Sequence, residues 1–524
     1  GGSTPGGGPP GGNPPPGSGV VSTDWDTFAG NAARTGESPS ESTLDSANVH
    51  GLQQLWQMNV GGGLAGQPIV ATGVSIGGTA HDVIYIGATS GDFTAIDAAT
   101  GTSLWHHSLG TITYPLNNNP GAAVPFGVTG TPTIDRSTNS VYVVDGQDQL
   151  YQFDLATGAE VHPHVAIDPA GEPGTGGADV PANNVVWSAL ALNPTSHLLY
   201  ITTSSEADVP PWYGRIVAFD ARSLQRLRAF YTVNPPTLGD GAGIWSYGGV
   251  SLDAAGNVWA ATGNFDVQSG NQTEHDGLGE QVIEVSSDLG TLKQNNYPGL
   301  EQLLAQLGET PVDADFGSTP VLFTPPGCDP LAIAINKAGI LVVYDQTKVD
   351  AGPTQRIAMA QSSENGDFIG LVGYSSATNY VYVSLPSTFN DTIDSVQYRP
   401  GLAAFRFSNC TLVPQPVWAK QFGIDSSNDS NDDLHSSPTI ANGVVYVGDG
   451  RDKKAYAFDA GTGTALWGPT AMPGAVYTAP VVLNGRVYIS TSYGATLTAF
   501  GVPGVSPNAA RASSGGLPKA RLTK

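Results

Sequence analysis

The sequence has few charged residues, and few of those are basic. Of its 524 residues only 13% are charged, and 45 acidic residues outnumber 21 basic ones, which gives a formal charge of -24 at pH 7. A surface field of this sign repels phosphate backbones. We therefore expect no nucleic-acid partner.

Long apolar runs are also missing. No stretch approaches the roughly 18 to 20 consecutive apolar residues that a membrane-spanning helix needs, so we predict no transmembrane segment. The residues after Gly1 lack the charged and apolar regions of a signal peptide, and we expect that any export signal has been removed.

Cysteine is nearly absent. The chain has two, Cys328 in "PPGCDPL" and Cys410 in "FSNCTLV", and neither lies in a C-x-x-C or C-x-x-C-H arrangement. A c-type haem and a cysteine zinc site are thereby excluded. The preferred interpretation is one structural disulfide, as in exported proteins, and the alternative is two buried free thiols.

Glycine and proline are abundant, with 68 and 39 residues, which suits short strands joined by turns better than amphipathic helices. Residues 1–23 are mostly Gly and Pro, cannot bury a core, and are predicted to form a disordered tether. Residues 503–524 form a polar tail. The folded domain is therefore expected to span residues 24–502.

Three segments share one pattern. They are "VIYIGATSGDFTAIDAATGTSLW", "SVYVVDGQDQLYQFDLATGAEV" and "VVYVGDGRDKKAYAFDAGTGTALW", each with two strands, an Asp-x-x-Thr-Gly turn and a third strand. Weaker copies between them bring the number of units to eight. The turn residues Asp97, Asp154 and Asp459 are interpreted as structural acceptors of amide hydrogen bonds, and Trp105 and Trp467 as packing between units.

One such unit cannot bury both of its faces, and radial stacking into a propeller solves this problem. The eighth unit ends at Gly501 without its outer strand, whereas "LQQLWQMNV" at residues 52–60 has the character of that strand and no preceding unit. Pairing between them would leave no exposed sheet edge. We therefore predict an all-β fold, an eight-bladed β-propeller of four-stranded blades closed by an N-terminal strand. We also expect the disulfide to join the fifth and sixth blades.

The repeats "TAIDAATGTSLW" and "YAFDAGTGTALW" resemble the tryptophan-docking repeats of the pyrroloquinoline-quinone (PQQ) propeller family. The opening "DWDTFAGNAARTGESPSESTL" is similar to the start of its alcohol and polyvinyl-alcohol dehydrogenase branches. The resemblance covers roughly residues 24–502. The same repeats also build non-catalytic scaffolds, such as the barrel-assembly lipoprotein of the outer membrane.

The resemblance to the dehydrogenases implies a site for PQQ and calcium. Glu206, in "SSEAD", matches the family's carboxylate ligand to Ca²⁺, and Asn264, in "AATGN", matches its amide ligand. Trp245 matches the floor beneath the quinone. Asp315, in "DADFG", matches the catalytic base, and Lys337 the basic residue that hydrogen bonds the quinone.

Ordinary structural roles compete with this interpretation. Asn264 follows Gly263 as a turn residue commonly does, Glu206 has the setting of a solvated loop acid, and Asp315 could cap a turn. The chain also lacks the pair of adjacent cysteines that roofs the quinone in many catalytic relatives.

Two functions of different class therefore remain. One is a Ca²⁺- and PQQ-dependent dehydrogenase acting on a small alcohol or polyol. The other is a non-catalytic propeller that binds a protein partner or its own copies. The tether resembles the spacers of bacterial surface lipoproteins, so we expect an exported protein, whether periplasmic, tethered to the cell surface or extracellular.

Overall fold

The structure is a computed structural model of the chain. It describes residues 24–63, 66–115, 123–168, 185–205, 213–233, 241–264, 277–306, 315–360, 368–386, 391–423 and 435–505. The predicted tether and most of the predicted tail lie outside these residues.

Eight antiparallel sheets of four strands form the blades of a β-propeller, as predicted. In blades 1 to 4 the strands run in chain order from the axis outward: Ile69–Ile76, Thr79–Gly87, Asp92–Asp97 and Ser103–Ser108; Thr133–Asp135, Ser140–Val144, Gln149–Asp154 and Glu160–Ala166; Ala191–Asn193, Leu198–Thr203, Arg215–Asp220 and Gln225–Tyr231; Ser251–Leu252, Val258–Ala261, Val282–Val285 and Leu292–Asn296.

The remaining blades follow the same plan. Their strands are Val321–Phe323, Leu331–Ile335, Ile340–Asp345 and Gln355–Ala358; Gly373–Ser375, Tyr380–Leu385, Gly401–Ser408 and Trp418–Gln421; Thr439–Ala441, Val444–Asp449, Lys454–Asp459 and Ala465–Ala471; Val481–Leu483, Arg486–Thr491, Thr496–Gly501 and Gln53–Asn59.

Several short strands and helical turns are added to the four-stranded blades. Two hairpins pair Ile112–Pro115 with Ala123–Phe126 and Asp391–Ile393 with Val396–Tyr398, and Gly317–Ser318 pairs with Ile369–Gly370. Thr411–Leu412 extends blade 6, Glu37–Ser38 adds to blade 7, and the α-helix is Leu300–Gln306. Single 3-10 turns lie at Phe28–Gly30, Val49–Gly51 and Val349–Ala351. No helix of the described residues is long and apolar enough to cross a membrane.

The ring closes as predicted. Gln53–Asn59 pairs antiparallel with Thr496–Gly501, from Gln53 opposite Gly501 to Asn59 opposite Thr496. Blade 8 therefore takes its outer strand from the start of the domain and its other three strands from the end. The closure joins the two termini of the fold through a sheet and leaves no blade short of a strand.

Tryptophans in the outer strands link neighbouring blades. The indole N–H donates to a backbone carbonyl of the following blade in four cases: Trp56 to Ala98, Trp105 to Leu155, Trp418 to Ala460 and Trp467 to Leu52. For Trp56, Trp105 and Trp418 the turn glycine of the next blade lies against the ring, and a Cβ at Gly101 would come within 2.7 Å of Trp56 Cδ2. Gly101 also has φ +73°, so glycine is required there for two reasons.

Two blades replace this tryptophan by glutamine. Gln294 Nε2 donates to the Gln346 carbonyl at 3.0 Å, and Gln355 Nε2 donates to the Leu412 carbonyl at 2.9 Å. Both carbonyls belong to the following blade. The side-chain amide thus makes the same inter-blade hydrogen bond as the indole N–H, without its stacking area.

Residues 24–41, here called the axial segment, cross one face of the propeller and contact the inner strands in blade order. Backbone N–H groups of six blades donate to the segment's carbonyls: Val70 to Trp25, Ile134 to Asp26, Leu252 to Ala32, Leu322 to Ala33, Tyr374 to Thr35 and Ile440 to Gly36. In blade 3 the Leu190 carbonyl accepts a hydrogen bond from Thr27 Oγ1. In blade 8 the Gly485 N–H donates a hydrogen bond to the Glu41 carboxylate.

The axial segment makes the two faces of the propeller different. Arg34 is fully buried in it and donates to the Val250, Phe28 and Leu190 carbonyls. We call this side the segment face. The turns between second and third strands, and the loops that enter the inner strands, lie at the other end of the antiparallel blades, which we call the loop face.

The disulfide prediction is confirmed. Cys328 and Cys410 are bonded with an S–S distance of 2.06 Å and join blade 5 to blade 6. The alternative of two free thiols is therefore wrong.

Replacing Trp56 by Ala should weaken ring closure, since the variant loses both the indole contact with Gly101 and the hydrogen bond to Ala98. We expect the free energy of unfolding to fall by about 2 to 4 kcal/mol. Leu55→Ala, in the same strand at a side chain that is 40% exposed, should cost about 0.5 kcal/mol or less. Guanidinium denaturation checks both, and equal losses would contradict the assigned role of Trp56.

Replacing both cysteines by serine should lower the free energy of unfolding by about 2 to 4 kcal/mol, because the bond closes a loop in the unfolded chain. The measurement is the denaturation midpoint with and without a reductant. The reductant should lower the midpoint of the wild type toward that of the double variant and leave the variant unchanged. A reductant effect on the variant would point to a different cause.

Candidate functional site

A short backbone ladder on the loop face joins blades 3 and 4. Residues 241–245 run between them, and the Ile244 N–H donates to the Thr203 carbonyl at 3.2 Å. On the other side, the Gly263 N–H donates to the Gly243 carbonyl at 2.7 Å. Segment 241–245 therefore acts as an extra strand that ties the ends of two blade strands together.

The ladder continues into blade 5. The Phe316 N–H donates to the Thr262 carbonyl at 3.3 Å, and the Lys337 N–H donates to the Asp315 carbonyl at 2.9 Å. Positions separated widely in sequence thus reach one part of the loop face. The side chains of this region are positioned by the ends of strands and by tight turns.

Trp245 lies in a slot that only glycine permits. A Cβ at Gly263 would lie 3.1 Å from Trp245 Cδ1, and a Cβ at Gly317 would lie 2.8 Å from Trp245 Cη2. The two glycines therefore let the backbone approach the indole at both of its ends. The ring itself remains partly exposed, so it can serve as a flat apolar surface.

Asp315 and Lys337 meet at this indole. Trp245 Nε1 donates to Asp315 Oδ2 at 2.9 Å, while Lys337 Nζ lies 3.6 Å from Asp315 Oδ1. The same ammonium lies 5.5 Å from the centroid of the Trp245 ring. The Asp315 side chain is only 4% exposed and that of Lys337 is 22% exposed. The arrangement combines a buried carboxylate, an ammonium group and an aromatic face, which suits proton transfer beside a planar ligand.

The structure describes one of the two residues that were predicted to bind a metal and leaves the other outside the described residues. The Asn264 carbonyl accepts the Ala242 N–H at 2.7 Å, which attaches Asn264 to the ladder beside Trp245. Glu206 lies outside the described residues, just after Ser205. Within the described part of the chain no group of three His, Cys, Asp or Glu side chains is placed to hold a metal ion.

Sequence reasoning did not single out a buried ion pair near this ladder. Arg215 is fully buried, and its Nη2 lies 2.6 Å from Asp168 Oδ2. Its Nε donates to Thr203 Oγ1 at 3.2 Å. A charged residue opening the apolar strand "RIVAFD" was the available signal, because an arginine in such a strand needs a partner.

A second buried pair lies on the loop face of blade 7. His435 Nδ1 is 3.5 Å from Asp449 Oδ1, and both side chains are inaccessible to solvent. Burial raises the pKa of Asp449 to about 6. The His435 ring also packs against the Phe422 ring, with 5.1 Å between their centroids.

Comparison with known proteins finds a family model and solved structures that are similar to this chain. A family model described as outer membrane protein assembly factor BamB matches residues 33–223 and 415–502. No curated protein sequence matches the chain. Among solved structures, a europium-containing methanol dehydrogenase is 14% identical, with a TM-score of 0.66 over 91% of this chain and 98% of that chain.

Two further solved structures are similar to the chain over most of its length. A quinohemoprotein alcohol dehydrogenase from Pseudomonas putida HK5 is 15% identical, with a TM-score of 0.68 over 92% of this chain and 81% of that chain. BamB from Moraxella catarrhalis is 15% identical, with a TM-score of 0.51 over 86% of this chain and 99% of that chain. At these identities the likeness shows the fold alone.

Trp245→Phe should destabilise the protein, because it removes the indole N–H from a buried carboxylate while keeping an aromatic ring. We expect a loss of about 1 to 3 kcal/mol in the free energy of unfolding. Trp187→Phe is the matched control, since no described hydrogen bond involves its indole N–H and its ring packs edge-on against Phe126. Chemical denaturation measures both, and equal effects would contradict a specific role of the bond to Asp315.

Proposed function

This chain belongs to the PQQ-like propeller family, and we propose that Trp245, Asp315 and Lys337 form a quinone site at which an alcohol is oxidised. The observation that carries the proposal is the contact of all three side chains, with the carboxylate bound by the indole N–H and the ammonium beside both. Two structural neighbours are a methanol dehydrogenase and an alcohol dehydrogenase, which supports the same class of reaction.

The residues present fit a planar, anionic cofactor such as PQQ. The partly exposed Trp245 ring offers a flat surface for stacking. Gly263 and Gly317 leave room for this ring, because neither has a side chain that would collide with it. The Lys337 ammonium lies where it can donate to an oxygen of a ring stacked on that surface. We propose that Asn264 and Glu206 supply an amide and a carboxylate oxygen to Ca²⁺, which prefers such ligands.

The cofactor and the protein would contribute different parts of the reaction. When bound, PQQ would supply the hydride acceptor for the alcohol and Ca²⁺ would supply a Lewis acid. Asp315 takes the hydroxyl proton of the substrate, and the Trp245 N–H at Oδ2 orients its carboxylate. Lys337 offsets the negative charge that develops during the transfer. The products are an aldehyde or ketone and a reduced cofactor.

The substrate we propose is a small alcohol or polyol, and the place of action is outside the cytoplasm. The disulfide between Cys328 and Cys410 supports an oxidising compartment. The proposal covers a periplasmic, extracellular or surface-tethered protein equally.

A non-catalytic propeller is the second candidate, serving as a scaffold for a protein partner or for its own copies. Two observations favour it. The matching family model carries the description of an assembly factor. The two cysteines of the chain are bonded to each other across blades 5 and 6, so no adjacent cysteine pair covers the Trp245 ring.

Reconstitution separates the candidates. Purified protein is incubated with PQQ and CaCl₂, and dye reduction is followed with a panel of alcohols and polyols. Asp315→Asn should lower kcat by about 10² to 10⁴ fold, the contribution of a general base, while PQQ binding measured by equilibrium dialysis remains.

Asp329→Asn is the control, because Asp329 is an exposed acid in the first turn of blade 5, on the segment face. It should keep full activity. If the wild type binds no PQQ and reduces no dye, the dehydrogenase proposal is wrong and the scaffold is favoured. Equal activity of wild type and Asp315→Asn would remove Asp315 as the base.

A further inference from the structure

We propose that Trp187 belongs to the same site as Trp245, and that its indole N–H donates a hydrogen bond to an oxygen at the edge of the planar ligand that stacks on Trp245. This inference rests on the proposed function, because it adds a residue to the quinone site. It assigns the blade 3 side of the site, whereas Trp245, Asp315 and Lys337 come from the segments of blades 4 and 5.

Trp187 differs from the other tryptophans in the use of its indole N–H. Of the eight tryptophans within the described residues, seven donate this N–H to an oxygen of the protein. Trp187 is the eighth, and within the described part of the chain its N–H has no acceptor. The ring is partly exposed, so solvation by water keeps this donor from costing free energy and a ligand oxygen can take its place.

A hydrogen bond between blades 3 and 4 brings Trp187 next to Trp245. Ser188, one residue after Trp187, donates through Oγ to the carbonyl of Ile244 at 3.1 Å. Ile244 is one residue before Trp245, so both indoles are one residue away from the same hydrogen bond. Since consecutive Cα atoms are about 3.8 Å apart, the two indoles lie within reach of one ligand of a few fused rings.

The two indoles also have the same setting. Each belongs to a segment that enters the inner strand of its blade, and each is partly exposed. The residues directly before and after each indole are at most 4% exposed. These neighbours anchor the backbone within the blades, so the indole is the side chain that each segment presents on the loop face.

A hairpin of the loop face supports Trp187 from the side of blade 2. The indole packs edge-on against Phe126, with 4.9 Å between the ring centroids and 87° between the ring planes. Phe126 is 3% exposed and pairs with Ile112 in the hairpin. This contact restrains the indole before a ligand binds, so that little conformational entropy is lost when the N–H meets its acceptor.

Three neighbouring blades then offer complementary groups to one planar ligand. The surface for stacking is Trp245 at blade 4, the ammonium group of Lys337 comes from blade 5, and the neutral N–H donor of Trp187 comes from blade 3. Blades 3 and 5 flank blade 4 on opposite sides, so the site selects a ring with acceptor oxygens on two opposite edges. PQQ carries quinone oxygens and carboxylates around its rings and belongs to this class. A carboxylate is the stronger acceptor for the Trp187 N–H.

The test measures the binding of PQQ to the full chain by equilibrium dialysis in the presence of CaCl₂. Trp187→Phe keeps an aromatic ring against Phe126 and removes the N–H, so it should raise the Kd at least fivefold. Tyr493→Phe is the matched control, because Tyr493 is an 83% exposed aromatic residue in a turn of blade 8 on the same face. It should leave the Kd unchanged. The trimethyl ester of PQQ has no carboxylate charge, so Trp187→Phe should change the Kd of the ester less than twofold.

Unfolding curves verify that both variants are as stable as the wild type, which we expect because neither substitution removes a described hydrogen bond within the protein. Equal Kd values for PQQ in the wild type and in Trp187→Phe would overturn this inference and leave the dehydrogenase proposal in place. Equal weakening by Tyr493→Phe, or an equal loss with the trimethyl ester, would overturn the donor role of Trp187. If the wild type binds no PQQ, both proposals are wrong.

Discussion

The fold depends on how the inner strands of the blades satisfy their backbone hydrogen bonds at the axis. Each inner strand has one edge paired within its blade and one edge facing the centre, and buried N–H and C=O groups need partners. The axial segment, residues 24–41, supplies them blade by blade around the ring, from Val70 to Ile440. The chain then continues into Gln53–Asn59 and closes blade 8. The axial segment and the strand that follows it therefore bind the inner strands at the axis and close the ring.

This arrangement explains why the two faces of the propeller differ in structure. On the segment face the chain crosses the axis and buries Arg34 among backbone carbonyls. On the loop face no part of the axial segment intervenes, and strand ends from blades 3, 4 and 5 converge on residues 241–245. Connections on that face vary in length without affecting blade packing, so functional side chains can be changed there at little cost in stability.

The parts of the fold that repeat were predictable from the sequence, and the parts that do not repeat were not. The blade number and the closing strand followed from the Asp-x-x-Thr-Gly pattern and from the missing last strand. Gln294 replacing a docking tryptophan, and Arg215 pairing with Asp168, left no periodic signal. Trp245, Asp315 and Lys337 were found through resemblance alone, because their contacts join residues far apart in sequence. Their catalytic and binding roles, and those of Asn264 and Glu206, stay predictions.

Buried charge is the feature that unites both faces. A chain with only 13% charged residues nonetheless buries several of them, and a buried charge is costly unless it is paired or hydrogen bonded. On the loop face the charges occur as pairs, Arg215 with Asp168 and Lys337 with Asp315. Such pairs are positioned by the fold itself, which is the preorganisation that the proposed dehydrogenase site would require. The geometry of the blades therefore determines the electrostatic field at the loop face, because each residue of these ion pairs lies at the end of a strand or in the loop beside it.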